Sequence, residues 1–132
     1  MNPPCPNCED ILRQVDISSE AEMHVIKKHY SSERVQDRSM FTNNIPPRFF
    51  FKEVVDRLRS GVLEGATHRH RLIYFCKFDF IVGNFPNRQG ILCETCHVKV
   101  VCTITECPNH RCRRLLPERV VTMYPANYPR YL

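Results

Sequence analysis

The chain has 132 residues, 42% of them hydrophobic and 25% charged, as in an ordinary one-domain globular protein that can bury a real core. It contains no apolar run of about 18 residues, so we expect no membrane-spanning segment. Its net charge of +5 suits a nucleic acid or an acidic protein surface as a partner, and suits a plain globular protein equally well.

Residues 1–31 are predicted to form a zinc-finger-like unit at the start of the chain. Cys5 and Cys8 flank a Pro-Asn pair, in a tight turn that directs two thiolates to one place. A capping box begins at Ser19, so we expect a helix over residues 20–30. The unit would therefore combine a cysteine turn with a short helix.

Residues 32–47 are polar and end in two prolines, which predicts a linker or a long loop. A helix is expected over residues 48–60, where apolar residues recur with helical spacing and Gly61 stands at the C-cap. This helix opens a second predicted unit, residues 48–132. The two units are predicted either as separate modules or as one integrated domain.

Two strands and an extended tail follow the second helix. Residues 71–83 are rich in β-forming side chains, residues 83–90 indicate a turn, and residues 98–104 indicate a second strand. These segments predict a β-hairpin with a long loop. The C-terminal tail, rich in proline and tyrosine, is expected to dock as extended chain. The helices and the hairpin together predict a small zinc-stabilised α+β domain, zinc-ribbon-like in its second unit.

The eight cysteines are candidate metal ligands. The start of the chain lacks the charged and apolar regions of a secretory signal, so we expect an intracellular protein whose thiols stay reduced rather than forming disulfides. Cys76 and Cys102 lie within the predicted strands and are expected to be core thiols. The other six cysteines occur close to one another or to histidines, in the spacings that zinc sites use.

The first predicted zinc site consists of Cys5, Cys8, His24 and His29, with the spacing C-x2-C-x15-H-x4-H. A turn between two cysteines can bring both sulfurs to about 2.3 Å from one ion, and helix histidines can complete the tetrahedron. Histidines five residues apart on a regular helix point about 140° apart. His29 would therefore have to lie where the helix ends.

The second predicted zinc site consists of Cys93, Cys96, Cys107 and His110, with the spacing C-x2-C-x10-C-x2-H. These ligands frame the second strand as two knuckles frame a zinc ribbon. Cys112 is the alternative to His110 as the fourth ligand. With the first site, this spacing predicts two zinc ions.

A cross-braced arrangement is the alternative to two sequential sites. The first cysteine pair would then share an ion with Cys93 and Cys96, while the helix histidines would join Cys107 and either His110 or Cys112. Spacing predicts which residues form a pair of ligands better than it predicts which pairs meet. The sequence therefore leaves the pairing open.

The motifs argue against catalysis. Both candidate zinc sites have four protein ligands, whereas a catalytic zinc usually keeps one position open for water or substrate. The sequence has no Gly-rich phosphate loop, nucleophile elbow or H-E-x-x-H helix. We therefore predict no catalytic residue and no small-molecule substrate.

Basic residues cluster next to the predicted second site and before the first long strand. Arginines beside a zinc knuckle can hold phosphates without reading bases, or can contact an acidic protein. The predicted helix of the first unit carries acidic residues and a methionine near its start, so sequence-specific reading of DNA is not expected. The candidate contact residues are Arg69, Arg71, Arg111, Arg113 and Arg114.

The cysteine motifs resemble those of the baculovirus U-box/RING-like proteins, a family of small viral proteins of about this size. The resemblance covers nearly the full chain and rests on layout and ligand spacing. It is carried by the opening Cys5-Pro6-Asn7-Cys8 and by the closing Cys93-Glu94-Thr95-Cys96 and Cys107-Pro108-Asn109-His110-Arg111-Cys112.

The resemblance implies a RING/U-box-like fold as the alternative to a zinc ribbon. It also implies a late viral protein of the host nucleus and the virion. Its implied role is non-enzymatic: nucleocapsid assembly, through contacts with other viral structural proteins. The RING comparison implies, as an alternative, an E3 ubiquitin ligase or adaptor. This chain departs from that pattern, because it lacks the central C-x-H-x2-C stretch of a RING, and a U-box needs no zinc. A nucleic-acid-binding zinc protein is the third hypothesis.

Overall fold

The structure, a computed structural model, describes residues 5–30 and 38–128. Within these ranges the fold is α+β, as predicted, with three helices and two β-sheets. None of these helices is long and apolar enough to cross a bilayer. Residues 32–37 of the predicted linker and the end of the tail beyond residue 128 lie outside the described residues. The elements are α1 (Pro6–Arg13), β1 (Asp16–Ile17), α2 (Ser19–His29), β2 (Met40–Phe41), α3 (Pro47–Ser60), β3 (Ala66–His68), β4 (Arg71–Lys77), β5 (Gly83–Pro86), β6 (Leu92–Thr95), β7 (His97–Glu106) and β8 (Leu115–Pro125).

The larger sheet has five strands in the order β1-β8-β7-β4-β3, with β1 parallel to β8 and the other neighbours antiparallel. The predicted hairpin is confirmed in its pairing: β4 and β7 lie antiparallel, with Leu72 opposite Cys102 and Lys77 opposite His97. The tail is extended, as predicted, and forms the 11-residue strand β8 along the other side of β7.

The segment between β4 and β7 differs from the prediction of a turn over residues 83–90. Gly83–Pro86 forms β5, which pairs with β2 and β6 in a three-stranded antiparallel sheet. The turn lies just beyond, where the side chain of Asn87 accepts hydrogen bonds from the backbone N–H groups of Gln89 and Ile91. Gly, Asn and Pro favour turns locally, but here pairing with two neighbouring strands outweighs that preference.

Helix α1 was not predicted from the sequence. The cysteine turn at residues 5–8 is the first turn of this helix, with Cys5 as the N-cap and Pro6 directly after it. Proline suits this position because its fixed φ is helical and its missing N–H has no partner in a first turn. The two cysteines are therefore held by a helix rather than by a free-standing turn.

The other two helices follow the predictions closely. The N-cap of α2 is Ser18, not the predicted Ser19, and its hydroxyl accepts a 3.1 Å hydrogen bond from the N–H of Ala21. Helix α3 begins one residue before the predicted range 48–60 and ends there. Gly61 follows in the left-handed conformation, at φ 73°, as the C-cap prediction requires.

One hydrophobic core joins the helices to the larger sheet. Helix α1 packs on α3 and β8, and α2 packs on β8. Phe50 of α3 is fully buried, and its ring lies 4.7 Å from that of Phe41 and 5.5 Å from that of Phe78. The predicted units 1–31 and 48–132 therefore contribute to the same core.

The two ends of the larger sheet differ in character. One end, here called the basic end, carries the turn between β3 and β4 (residues 68–71) and the loop between β7 and β8 (residues 107–114). The opposite end, here called the apolar end, carries the segment after β4 (residues 78–82) and Cys96 before β7. The candidate metal centre lies at the basic end.

Candidate metal centre

Four cysteines meet where the start of α1 approaches the β7–β8 loop. Cys5 and Cys8 come from the helix, and Cys107 and Cys112 come from the loop. All four Sγ atoms lie within 4.8 Å of one another. The separations are 3.3 Å for Cys5–Cys8, 3.5 Å for Cys5–Cys107 and 3.5 Å for Cys8–Cys112. A disulfide has an S–S distance of about 2.05 Å, so these four are free thiols grouped as ligands for a metal ion would be.

The helix determines the position of the first pair. Cys5 is the N-cap and its carbonyl accepts a 3.0 Å hydrogen bond from the N–H of Glu9. Cys8 stands three residues later, so both side chains lie on the same side of the first turn. Cys8 is fully buried, whereas Cys5 is partly exposed at the rim.

The β7–β8 loop determines the position of the second pair. The N–H of Cys107 donates to the carbonyl of Arg114 at 2.8 Å, which closes the base of the loop. The carbonyl of Asn109 accepts from the N–H groups of Cys112 and Arg113, at 3.0 and 2.9 Å. These bonds fold the loop back on itself, so that Cys112 returns to the side of Cys107.

The protonation of the four thiols is uneven. Burial is the main cause that raises the pKa of Cys8 and of Cys107. The pKa of Cys5 is lowered to about 7, chiefly by hydrogen bonding with the backbone of Cys8. Several thiolates this close together repel one another unless a cation lies between them. A divalent metal would supply that cation and displace the remaining protons.

The histidines of the first predicted site do not join this cluster. His24 is exposed on α2. His29 lies with its Nδ1 2.7 Å from the carbonyl oxygen of Ser39, and its ring stacks on Tyr124 at 5.2 Å. The predicted cysteine pair therefore lies beside Cys107 and Cys112 and not beside the two histidines, because α2 packs on β8.

The four residues of the second predicted site are separated. Cys93, on β6, has its sulfur 3.6 Å from the side-chain nitrogen of Asn87. Cys96 has its sulfur 3.8 Å from Nδ1 of His97. The ten residues of β7 stand between Cys96 and Cys107, and a strand of that length spans about 30 Å. Cys96 and Cys107 could bind the same ion only if the strand between them were short or folded back on itself.

The fourth member of the cluster is Cys112, which the sequence offered as the alternative to His110. His110 is exposed in the β7–β8 loop and is not one of the clustered residues. The cross-braced alternative joined the first two cysteines to Cys93 and Cys96, whereas the cluster joins them to Cys107 and Cys112. One signal for the observed pairing was present in the sequence, since Cys-Pro-Asn begins both contributing segments.

The two remaining cysteines are core thiols, as predicted. Cys76 and Cys102 are fully buried on neighbouring strands of the larger sheet. Burial raises the pKa of Cys76 to about 11 and that of Cys102 to about 12, so both stay protonated near neutral pH. They fill space between the sheet and the helices.

The comparisons with known proteins add no family to these observations. No family model matches the chain, and no curated protein or solved structure shows significant similarity to it. The basis for a function is therefore the geometry of the residues themselves.

Proposed function

We propose that this protein is a zinc-stabilised, non-enzymatic structural protein that takes part in assembling a viral nucleocapsid through protein–protein contacts. The observation that carries the zinc-stabilised structural role is the four-cysteine cluster, whereas the assembly role rests on the resemblance of the cysteine motifs to a baculovirus family. Zinc bound by four thiolates at about 2.3 Å in a tetrahedron holds its sulfurs about 3.8 Å apart. The three sulfur separations of 3.3 to 3.5 Å are slightly shorter than this value, and together with the 4.8 Å limit on all pairs they support a common ion among the four sulfurs.

A structural role follows from the number and origin of the ligands. Four cysteines complete a tetrahedron and leave no position for water or substrate, as in structural rather than catalytic zinc sites. The ion would join α1 to the β7–β8 loop, two segments separated by about a hundred residues of chain. Its chemistry would be to hold these segments together. The first expected consequence is that folding depends on metal.

Protein–protein contact is supported by the apolar end of the sheet. Phe49, Phe80 and Ile81 are exposed to 41%, 38% and 51% and lie together, with the two phenylalanine rings 6.0 Å apart. Exposed aromatic and aliphatic side chains that form a patch are typical of surfaces that bind another protein. We propose other viral structural proteins as that partner, because the cysteine motifs resemble a baculovirus family.

The proposal is tested by virus production from genomes carrying variants of this gene. Cys112→Ser should abolish assembled nucleocapsids, because it removes a ligand, and its matched control His110→Ala should leave assembly normal. Phe80→Ser/Ile81→Ser should keep the fold and the metal but lose co-sedimentation with capsids. Normal capsid yield from a deletion genome would overturn the assembly role. Autoubiquitination with purified E1 and a panel of E2 enzymes would favour the ligase alternative instead.

A further inference from the structure

The arginines singled out in the sequence come from two separate segments that both lie at the basic end of the sheet. Arg69 and Arg71 belong to the β3–β4 turn, and the others belong to the β7–β8 loop. Strand β4 is paired with β7, and Leu72 lies opposite Cys102. The last residue of the turn, Arg71, directly precedes Leu72, and the loop begins at residue 107, five residues after Cys102. The turn and the loop therefore project from the same end of neighbouring strands, and the loop begins about four residues, or about 13 Å, further along the strand direction than the turn.

The charge at this end is largely uncompensated. Within residues 5–30 and 38–128, one of the five arginines, Arg113, has a carboxylate within 4.0 Å, that of Glu106 at 3.0 Å. The other four have none in those ranges. All five are exposed. Apart from Cys112, which belongs to the metal cluster, residues 68–71 and 110–114 are all arginines and histidines.

The backbone at this end is held in an unusual conformation. Among the described residues, three that are not glycine have positive φ: Arg69 at 46°, His70 at 64° and Arg113 at 50°. All three belong to the basic end. A two-residue hairpin turn with both φ values positive is a type I′ turn, for which Asn-Gly is strongly preferred. Basic side chains therefore occupy positions that Asn or Gly would fill at lower cost, and such outliers often mark functional sites.

We propose that the basic end binds the phosphate backbone of nucleic acid without reading its sequence. Guanidinium groups pair with phosphate oxygens through two parallel hydrogen bonds, and phosphate contacts position a protein without specifying bases. A protein interface also uses arginine, but around a core of apolar side chains, and neither residues 68–71 nor residues 107–114 contribute an exposed large hydrophobic side chain. The exposed apolar patch of this protein lies instead at the opposite end of the sheet. The inference is independent of the proposed role in capsid assembly.

The metal cluster connects this surface to the fold. Arg111 lies inside the loop closed by Cys107 and Cys112, and Arg113 and Arg114 follow directly. The ion would thus fix the backbone from which three of the five arginines project. Binding is expected from the zinc-loaded chain, and that is the form to be tested.

The test is fluorescence polarisation with a labelled duplex of about 20 base pairs, at salt concentrations from about 50 to 200 mM. One variant, Arg69→Asn/His70→Gly/Arg71→Thr, removes two arginines and installs the turn sequence that the backbone prefers, so it should fold at least as well as the wild type. A second, Arg111→Ala/Arg114→Ala, removes two from the loop. The matched control is Lys27→Ala/Lys28→Ala, which removes two exposed lysines from the C-terminal half of α2.

The wild type should bind duplexes of unrelated sequence equally, with affinity falling steeply as salt rises. Each lost phosphate contact lowers the slope of log affinity against log salt by about 0.9, which at about 0.1 M salt corresponds to about 8-fold in affinity. Each variant that removes two arginines should therefore lower the slope of log affinity against log salt by about 2. The lysine control should change neither the slope nor the affinity.

Four results would overturn the inference. They are absence of binding at about 50 mM salt, binding that salt does not weaken, full affinity in both arginine variants, and an equal loss in the lysine control. Circular dichroism and zinc content of each variant show that it is folded and loaded. Binding to an acidic protein at the basic end, with none to the duplex, would assign this surface to a protein partner instead.

Discussion

The sulfurs of Cys8 and Cys112 lie 3.5 Å apart although 104 positions separate the two residues in the sequence. Helix α1 has only eight residues, and helices that short are not stable alone in water. Its packing on α3 and β8 and its two cysteines therefore hold it in place. The predictions below depend on this juxtaposition and on the packing around it.

The number of zinc ions bound by cysteine and histidine variants should distinguish the clustered cysteines from the other predicted ligands. Native mass spectrometry should find one zinc ion on the wild type. Cys5→Ser or Cys107→Ser should lose it, because three thiolates hold zinc less tightly than four. Cys93→Ser and His24→Ala, the matched controls from the sequence-predicted sites, should keep it. Two ions on the wild type, or loss of the ion in either control, would contradict a single four-cysteine site.

Removing the metal should loosen α1 before the larger sheet. A ligand present at about 1,000 times its Kd stabilises the folded state by about 4 kcal/mol, so a chelator should lower the unfolding free energy by at least that amount. Hydrogen exchange followed by mass spectrometry should show protection lost first in residues 6–13 and in the β7–β8 loop. Protection lost equally across α3 and β4 would mean that the ion supports the whole core rather than this junction.

Alkylation should divide the eight cysteines into three classes. Two of them, Cys93 and Cys96, are partly exposed and lie outside the cluster, so they should react in the native zinc-loaded protein. After a chelator has removed the metal, the four clustered cysteines should also react with the alkylating reagent. Cys76 and Cys102 should react only after denaturation, because burial keeps them both inaccessible and protonated. Rapid native labelling of Cys102 would contradict the packing of β7 described here.

Gly83→Ala should destabilise the protein through a steric clash at the β2–β5 pair. A Cβ at this position would lie 2.1 Å from the carbonyl oxygen of Met40 and 2.9 Å from Cα of Phe41. Both contacts are with backbone, so relief requires the strands to separate, at a cost of about 3 kcal/mol. Chemical denaturation measures the difference from wild type.

The matched control is Gly90→Ala. A Cβ there would meet no atom within 4 Å, although the residue has φ +78°. Its cost should be limited to backbone strain, about 1 kcal/mol. Equal destabilisation by the two variants would show that the close approach of β2 to Gly83 is not a constraint on the fold.

Acid should weaken the protein partly through His29. Burial lowers the pKa of this imidazole from 6.5, although its hydrogen bond to the Ser39 carbonyl acts in the opposite direction. The unfolded chain therefore takes up the proton first as pH falls. The stabilisation is fully present above about pH 6.5 and is lost as pH drops through and below that value.

The measurement is the unfolding free energy of the wild type and of His29→Phe across pH 5 to 8, an interval around the ordinary pKa of histidine. Phenylalanine keeps an aromatic ring against Tyr124 but cannot titrate. Zinc release in acid affects both proteins alike, so the difference between them isolates the imidazole. Below pH 6.5 the wild type should lose stability faster than the variant. Parallel pH profiles would contradict the burial of this side chain.

Local sequence patterns predict much of the fold. The spacing of apolar residues and the position of Gly61 predict helix α3, and both are local properties of the chain. The strands β4 and β7 are rich in β-branched and aromatic residues, and their pairing is the simplest arrangement for neighbouring strands. Helix α1 was missed because Cys-Pro-Asn-Cys is a turn sequence as well as a helix start. Strand β5 was missed because Gly83 and Pro86 indicate turns.

The sequence by itself determined the fold class, the helices α2 and α3, the buried character of Cys76 and Cys102, and the type of residue from which a metal site would be made. Only the tertiary structure decided which cysteines meet. Spacing constrains ligands within one turn or loop, whereas the approach of α1 to the β7–β8 loop depends on packing across about a hundred residues. The length of β7 is the physical reason, because its ten extended residues keep Cys96 away from Cys107 and carry the loop cysteines to the end of the sheet where α1 lies.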